Sequence, residues 1–156
     1  MNKLLATALL MMGLSLTSVA QAREVNITTV LNAYRGEGAY LAIYLTDAGG
    51  KYTRTLWVAG GKSKYYKSLL DWARGSGMKP AEYDGMTGAS VSSGGSLTIT
   101  VDIDDALIDA GYLIRVDSAV ENLRENRVDV EVPLTSQGAG TPVAGRSYVK
   151  SLSYTL

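Results

Sequence analysis

The stretch Leu97-Thr98-Ile99-Thr100-Val101-Asp102-Ile103 alternates strictly between apolar and polar side chains. A period of two predicts a β-strand that buries one face and leaves the other in water. The same alternation occurs near both ends of the chain, in Val25–Leu31 and in Tyr148–Leu156. The sequence therefore predicts a fold in which strands, rather than helices, form the core.

Further segments with strand-forming residues complete a set of seven predicted strands. They are Leu41–Leu45, Tyr52–Val58, Tyr112–Val120 and Asn126–Val132. Turn residues separate them, as in Asp47-Ala48-Gly49-Gly50, which predicts a hairpin between the second and third strands. Seven short antiparallel strands with frequent turns are typical of an immunoglobulin-like β-sandwich. We therefore predict an all-β fold of this type.

One segment between the third and fourth strands has helical spacing. Its apolar residues fall at positions i, i+3, i+4 and i+7 of a helix and are Tyr66, Leu69, Leu70 and Ala73. Ser63 is expected to cap this helix, and Gly75 and Gly77 are expected to stop it. The stretches Met78–Gly95 and Thr135–Arg146 contain turn residues and are predicted to be loops, the second of them mobile.

Residues 1–22 have the pattern of a secretory signal peptide. A basic start precedes the apolar run Leu4–Leu16, and Ser18-Val19-Ala20-Gln21-Ala22 ends in an Ala-x-Ala cleavage site. The apolar run is short for a membrane span, which disfavours the alternative of a retained anchor. We predict cleavage before Arg23, leaving a single periplasmic domain over residues 23–156 with no transmembrane segment.

The composition excludes several kinds of chemistry. The chain has no Cys and no His, which removes disulfides, the usual zinc sites and Ser-His or Cys-His catalytic pairs. Equal numbers of basic and acidic residues, 15 of each, leave no basic excess for binding nucleic acid. Acids near one turn permit a calcium site but match no known calcium-loop pattern, and solvated turn acids are the better interpretation. These acids are Asp102, Asp104, Asp105 and Asp109.

The segment Asp84-Gly85-Met86-Thr87-Gly88-Ala89-Ser90 stands apart from the rest of the chain. It resembles the acceptor sequence of bacterial FMN transferases, Asp-x-x-Ser/Thr-Gly-Ala-Ser/Thr, at every defining position. These periplasmic enzymes take FMN from FAD and join its phosphate to the hydroxyl of the last residue. The resemblance implies that Ser90 carries covalent FMN. The alternative is an ordinary turn, because Asp-Gly and Thr-Gly are common loop dipeptides.

The resemblance also assigns recognition positions for the transferase within this segment. They are Asp84, Thr87, Gly88 and Ala89. A small, bare backbone at the third and fourth of these positions would let the segment enter a narrow cleft. Asp84 would orient the segment or interact with the metal of the transferase.

A second resemblance covers most of the mature chain. The residues that carry it are Tyr40-Leu41-Ala42-Ile43-Tyr44, Thr55-Leu56-Trp57, Lys64-Tyr65-Tyr66, Leu69, Trp72 and the Thr-Gly-Ala-Ser box. Together they look like a family of uncharacterised periplasmic proteins that accompany PepSY-type membrane proteins and FMN transferases. This likeness implies an electron-transfer setting, with a periplasmic FMN transferase and a PepSY-type membrane protein as partners.

Two functions are therefore open. The first is an electron carrier, rather than a stand-alone enzyme, with FMN on Ser90. The second is a flavin-free binding module of the cell envelope, since immunoglobulin-like sandwiches often serve that purpose. Trp57 and Trp72 are expected to pack in the core more often than to stack on a flavin. A basic cluster either forms a solvated face or neutralises the flavin phosphate; it consists of Lys62, Lys64 and Lys67.

Overall fold

The computed structural model describes residues 20–156, so most of the predicted signal peptide lies outside the described residues. The strands are β1 (Ala22–Leu31), β2 (Tyr40–Thr46), β3 (Tyr52–Ala59), β4 (Thr87–Gly88), β5 (Ser96–Asp104), β6 (Leu113–Ala119), β7 (Glu125–Pro133), β8 (Val143–Ala144) and β9 (Val149–Thr155). The helical elements are one α-helix, α1 (Leu70–Ser76), and three 3₁₀ segments, Ser63–Ser68, Pro80–Glu82 and Asp105–Leu107. Within residues 20–156, no helix is long and apolar enough to cross a membrane.

The strands form two sheets that pack face to face. The first sheet has the order β5-β1-β9-β8 and the second has the order β4-β3-β2-β6-β7. Each of the seven predicted strands is present, as β1, β2, β3, β5, β6, β7 and β9. The predicted all-β sandwich is thus confirmed, while its immunoglobulin-like assignment stays a prediction.

The core between the sheets is built from the apolar faces that the period-two patterns predicted. Ile27 of β1 and Ile103 of β5 are completely buried from the first sheet, and Leu41 and Ile43 of β2 face them from the second. Burying one such side chain stabilises the folded state by about 1.5–3 kcal/mol. This core fixes the second sheet, whose outer edge holds the acceptor-like segment.

The segment predicted to be one continuous helix is instead two pieces. The 3₁₀ segment Ser63–Ser68 ends at Leu69, and α1 begins after it. Ser63 does not cap the helix, because it lies inside the 3₁₀ segment and neither piece has a side-chain cap of its own. Gly75 lies within α1, whereas Gly77 ends it in the left-handed conformation at φ 62°. The predicted start was therefore wrong, and the predicted glycine stop is confirmed at Gly77.

The N-terminus of α1 is held by a buried carboxylate from the neighbouring sheet. Asp117 Oδ2 accepts hydrogen bonds from the backbone N–H groups of Asp71 and Trp72, each at 2.8 Å. Its Oδ1 accepts from the Tyr44 hydroxyl at 3.0 Å and from the Val128 backbone N–H at 2.9 Å. Burial raises the pKa of Asp117, and the hydrogen bonds that it accepts oppose that rise. Asp117 thus replaces the missing side-chain cap.

A second buried carboxylate lies in β7, between valines whose alternation would place it on the face toward water. Asp129 of β7 is completely buried and accepts four hydrogen bonds, one from β6 and three from the stretch that enters β9. The donors are the Ser118 hydroxyl at 2.6 Å and the backbone N–H groups of Arg146, Ser147 and Val149 at 2.7 to 3.0 Å. Buried charges are tolerated only with such partners. Asp129 therefore orders the chain as it enters β9.

The loop Thr135–Arg146, predicted to be mobile, is anchored to β9. It contributes β8, and the Gly140 backbone N–H donates to the Tyr154 carbonyl at 2.7 Å. The Tyr154 hydroxyl also accepts a hydrogen bond from the Thr135 backbone N–H at 2.8 Å. These contacts satisfy backbone groups that a free loop would leave to water.

The helical segment covers the outer face of the second sheet. Trp72 is completely buried in a cluster with Tyr44 and Val58, and its Nε1 donates to the Thr55 hydroxyl at 2.9 Å. The expectation that Trp72 packs in the core is therefore confirmed. The segment covers part of this face, and β4 lies at one edge of the second sheet.

Candidate functional site

The acceptor-like segment Asp84–Ser90 runs along the edge of the second sheet. Within it, β4 pairs in parallel with the end of β3. The Val58 backbone N–H donates to the Met86 carbonyl at 2.9 Å, and the Gly60 backbone N–H donates to the Gly88 carbonyl at 2.8 Å. The prediction that Met78–Gly95 is a loop is wrong at this point, because Thr87 and Gly88 form a strand. This strand pairs in parallel, unlike the antiparallel strands that the sequence predicted. A strand this short has no periodicity for the sequence to reveal.

A second backbone clamp follows the segment directly. Val91 and Ala39 exchange two hydrogen bonds, from Val91 N–H at 2.9 Å and from Ala39 N–H at 2.7 Å. Only Ala89 and Ser90 lie between this clamp and the β3–β4 pairing, and both are exposed. The position of Ser90 is therefore fixed by backbone hydrogen bonds on either side, while its side chain stays accessible.

The Ser90 side chain faces Gly38. A β-carbon placed on Gly38 would lie 2.6 Å from Ser90 Oγ and 3.0 Å from Ser90 Cβ, closer than real β-carbon contacts. Glycine at position 38 therefore leaves free the space next to the hydroxyl. The sequence alone does not indicate this pairing, because the two residues are brought together only by the Ala39–Val91 bridge.

Gly88 packs against Trp57. A β-carbon at Gly88 would lie 2.8 Å from Trp57 Cζ2, so the ring leaves no space for a side chain there. The Trp57 Nε1 atom is enclosed and has no hydrogen-bond partner within the described residues. Trp57 is thus next to the acceptor-like segment, and the glycine of this segment is required by local packing.

Two grooves meet at Ala89 and Ser90. The Trp57 groove has a volume of about 370 Å³ and is lined by Trp57, Gly88, Val91, Ser92, Ser96 and Leu97, among others. The Gly38 groove has a volume of about 290 Å³ and is lined by Glu37, Gly38, Tyr40, Gly61, Lys62 and Glu121. Both sizes approach the lower range of small-molecule sites. The exposed serine thus lies between two concave surfaces of different chemistry.

Residues 22–151 match a family described as predicted periplasmic protein, DUF2271. The chain belongs to the DUF2271 family. This membership confirms the predicted periplasmic location and the predicted resemblance to a periplasmic family. A search of curated proteins and a search of solved structures each found no match.

The three lysines of the basic cluster have different surroundings in this DUF2271 protein. Lys62 lines the Gly38 groove together with Ser90. Lys64 lies over the ring of Tyr65, with its Nζ 4.8 Å from the ring centroid. Lys67 is exposed in the last turn of the 3₁₀ segment. Lys62 is therefore the member of the cluster that shares a groove with Ser90, and Glu37 and Glu121 line the same groove.

Three of the acids near the turn after β5 make hydrogen bonds or ion pairs that stabilise the turn in this DUF2271 protein. Asp104 Oδ1 accepts from the Ala106 backbone N–H at 2.9 Å, and Asp105 pairs with Arg23 at 3.0 Å. Asp109 accepts from the hydroxyl and backbone N–H of Ser136, and these hydrogen bonds lower the pKa of Asp109. Within residues 20–156, no group of three or more acids could hold a metal ion. The turn interpretation therefore suits these acids better than a calcium site.

The remaining predicted recognition positions differ in accessibility. Asp84 and Thr87 are exposed, as is Ala89, whereas Gly88 is half-buried beside Trp57. Asp84 begins the segment at a turn, where its backbone N–H donates to the Pro80 carbonyl at 2.8 Å. A partner that binds along the segment could thus reach three of these four residues directly.

Proposed function

We propose that this protein is a periplasmic electron carrier that holds one FMN covalently on Ser90. The observation that carries the proposal is the placement of Ser90. It is the exposed last residue of a complete acceptor motif and is held between two backbone clamps at the junction of two grooves. When bound, the flavin supplies the redox chemistry, and the protein supplies position and electrostatics.

The attachment step is a phosphoryl transfer that needs a hydroxyl acceptor. The Ser90 oxygen forms a bond to the FMN phosphorus of FAD, and the pyrophosphate bond to that phosphorus breaks. AMP leaves with the bridging oxygen, and the hydroxyl proton passes to a base of the transferase or to solvent. The product is a phosphodiester with one negative charge. An FMN transferase in the same compartment supplies both FAD binding and catalysis.

The residues around Ser90 fit such a product. Gly38 has no side chain, so the space next to Ser90 Oγ is free for a phosphate group. Lys62 lines the same groove and carries the charge opposite to that of a phosphodiester. The exposed Thr87 and Ala89 leave the backbone accessible to a transferase. A covalent link also suits an exported protein, from which free flavin would diffuse away.

The proposed partner for electron exchange is a PepSY-type membrane protein. Its involvement rests on the family resemblance described for the sequence. An electron carrier needs its cofactor near the surface, and the exposed side chain of Ser90 meets that requirement.

The test is the intact mass of the protein co-expressed with a periplasmic FMN transferase. We expect a mass gain of one FMN less one water, located on the peptide that contains Ser90. A Ser90→Ala variant should stay unmodified and folded, since an exposed hydroxyl adds little to stability. Ser92→Ala is the matched control, because Ser92 is also exposed but lies outside the motif.

Two outcomes would overturn the proposal. One is a covalent flavin that persists on Ser90→Ala. The other is an unmodified protein in cells whose transferase modifies a control substrate. In the second case the acceptor-like segment would be an ordinary turn, and a flavin-free binding module of the envelope would become the better interpretation.

A further inference from the structure

We propose that the isoalloxazine ring of the Ser90-linked FMN lies on the Gly38 side of the segment, against Tyr40 and Tyr65, with Lys62 pairing with its phosphate. This inference rests on the proposed function and adds a binding site for the ring.

The direction of the Ser90 side chain selects one of the two grooves. Ser90 Oγ is the atom nearest to the position of a Gly38 β-carbon, at 2.6 Å. A group esterified to this oxygen therefore begins on the Gly38 side of the segment. Ala89 and the clamped backbone of Gly88 separate that side from Trp57.

The Gly38 groove continues into a second concavity, and together they form a trough. The two share Tyr40 and Glu121. The second concavity has a volume of about 180 Å³ and is lined further by Tyr65, Ser68, Ala119, Val120, Leu123 and Glu125. Leu123 is 45% exposed and is one of two large apolar side chains that stand out in this way within residues 20–156. A planar, mostly apolar ring would cover this surface.

The aromatic residues of the trough are held in place by their neighbours. A side chain at Gly60 would overlap the Tyr40 ring, so the ring lies directly on the backbone there. Tyr65 meets Tyr40 edge to face, with centroids 5.7 Å apart and an interplanar angle of 78°. The Tyr65 hydroxyl donates to Glu121 Oε1 at 3.2 Å. Pre-positioned rings lose little freedom when a planar heteroaromatic group stacks on them.

Charge also separates the two grooves. The phosphodiester is an anion, and the Gly38 groove holds one cation, Lys62, together with two acids, Glu37 and Glu121. The described residues that line the Trp57 groove include no charged side chain. Lys62 is therefore the group that can pair with the phosphate on this side, while the two acids of the groove oppose an anion. Shape and aromatic lining thus favour the trough, and Lys62 is the cation that it offers to the phosphate.

The test uses flavinylated protein whose modification has been confirmed by intact mass. Tyrosine and tryptophan in contact with a flavin ring quench its fluorescence by excited-state electron transfer. We expect Tyr65→Leu to raise the flavin fluorescence yield several-fold. Tyr112→Leu is the matched control, because Tyr112 is equally half-buried but precedes β6 outside the trough, and it should leave the yield unchanged. Trp57→Phe should also leave it unchanged.

A variant of Lys62 provides an independent test. Because Lys62 is exposed, its substitution should not disturb the packing of the core. Lys62 and Lys67 are both exposed. We expect Lys62→Gln to lower the fluorescence anisotropy of the bound flavin. Without its ion pair to Lys62, the phosphate on Ser90 would be less restrained, and the ring attached to it would move more. Lys67→Gln should leave the anisotropy at its wild-type value.

Each alternative result overturns the inference. A rise in yield with Trp57→Phe but not with Tyr65→Leu would place the ring in the Trp57 groove. No change with either variant would exclude both Tyr65 and Trp57 from contact with the ring, and equal anisotropy in both lysine variants would remove Lys62 from the site. All of these results require protein that carries FMN, so they differ from a failure of the proposed function, in which no flavin is attached.

Discussion

The α-carbon of Gly38 faces the hydroxyl of Ser90 so closely that a β-carbon there would lie 2.6 Å from Ser90 Oγ. Gly38 belongs to the chain that leads into β2, and Ser90 belongs to the segment that leads toward β5. The Ala39–Val91 bridge next to both residues fixes their separation. The space beside the acceptor hydroxyl is therefore a property of the fold, not of the acceptor segment alone.

Substitution Gly38→Ala should block modification of Ser90 while leaving the fold intact. The added methyl group would occupy the space that the phosphate needs, so we expect the rate of flavinylation to fall by about tenfold or more, equivalent to at least about 1.4 kcal/mol. The methyl group would also lie only 3.0 Å from Ser90 Cβ, so the free energy of unfolding should fall by about 1–3 kcal/mol. Intact mass at timed intervals measures the rate, and urea unfolding measures the stability.

Gly61→Ala is the matched control for this substitution. Gly61 lines the same groove, but a β-carbon there meets nothing within 4 Å. It should therefore be modified at nearly the wild-type rate. If Gly38→Ala and Gly61→Ala were modified equally fast, the space beside Ser90 would not matter for attachment.

The buried carboxylate of Asp117 should dominate the stability of the helical segment. Asp117→Ala would leave four donors without a partner, and we expect it to lower the free energy of unfolding by about 3–5 kcal/mol. Asp117→Asn, which keeps one acceptor oxygen, should lose about 1–3 kcal/mol. Tyr44→Phe removes a single donor and should lose about 1 kcal/mol. Urea unfolding followed by circular dichroism gives these values.

Asp102→Asn is the control for the Asp117 series. Asp102 is exposed on β5, and its substitution should change the stability by no more than about 0.5 kcal/mol. A loss in Asp117→Asn no larger than that in Asp102→Asn would show that the cap on α1 contributes nothing.

The sequence predicted the strands because their burial follows a local rule. In β5 and β1, alternation along the chain is enough to separate the inward from the outward side chains. The same rule fails for Asp129, whose burial depends on donors from Ser118 and from residues 146–149. It fails again at the start of α1, where Asp117 supplies the cap from a strand more than forty residues away in sequence. Contacts between distant residues leave no local pattern.

The candidate site likewise has one part that the sequence predicted and one part that it did not. The acceptor motif identified Ser90 from seven consecutive residues. Gly38, Tyr40 and Glu121 had no such signal, because they approach Ser90 only when the Ala39–Val91 bridge and β4 form. The sequence did indicate the basic cluster. In the structure, Lys62 lines a groove with Ser90, whereas Lys64 and Lys67 do not line that groove. A short motif can thus indicate a candidate residue, but tertiary contacts determine its surroundings.

Tyr52 fastens the turn before the acceptor segment to β3, through a hydrogen bond from its hydroxyl to Glu82 Oε2 at 2.6 Å. Burial, with this hydrogen bond, raises the pKa of Tyr52 to about 12 from the ordinary value of 10.0. The folded state therefore holds this proton more tightly than the unfolded state does.

The stability that the Tyr52 hydroxyl contributes should consequently depend on alkaline pH. Because its folded pKa is raised, that contribution is fully present below pH 10 and is lost as the pH rises through about 12. We expect Tyr52→Phe to be less stable than the wild type by about 1 kcal/mol at neutral pH and the difference to vanish across this window. Urea unfolding of both proteins at a series of pH values measures the difference, and subtraction cancels the ionisation of the other tyrosines. A difference that stayed constant through the window would mean that Tyr52 ionises at the same pH in both states.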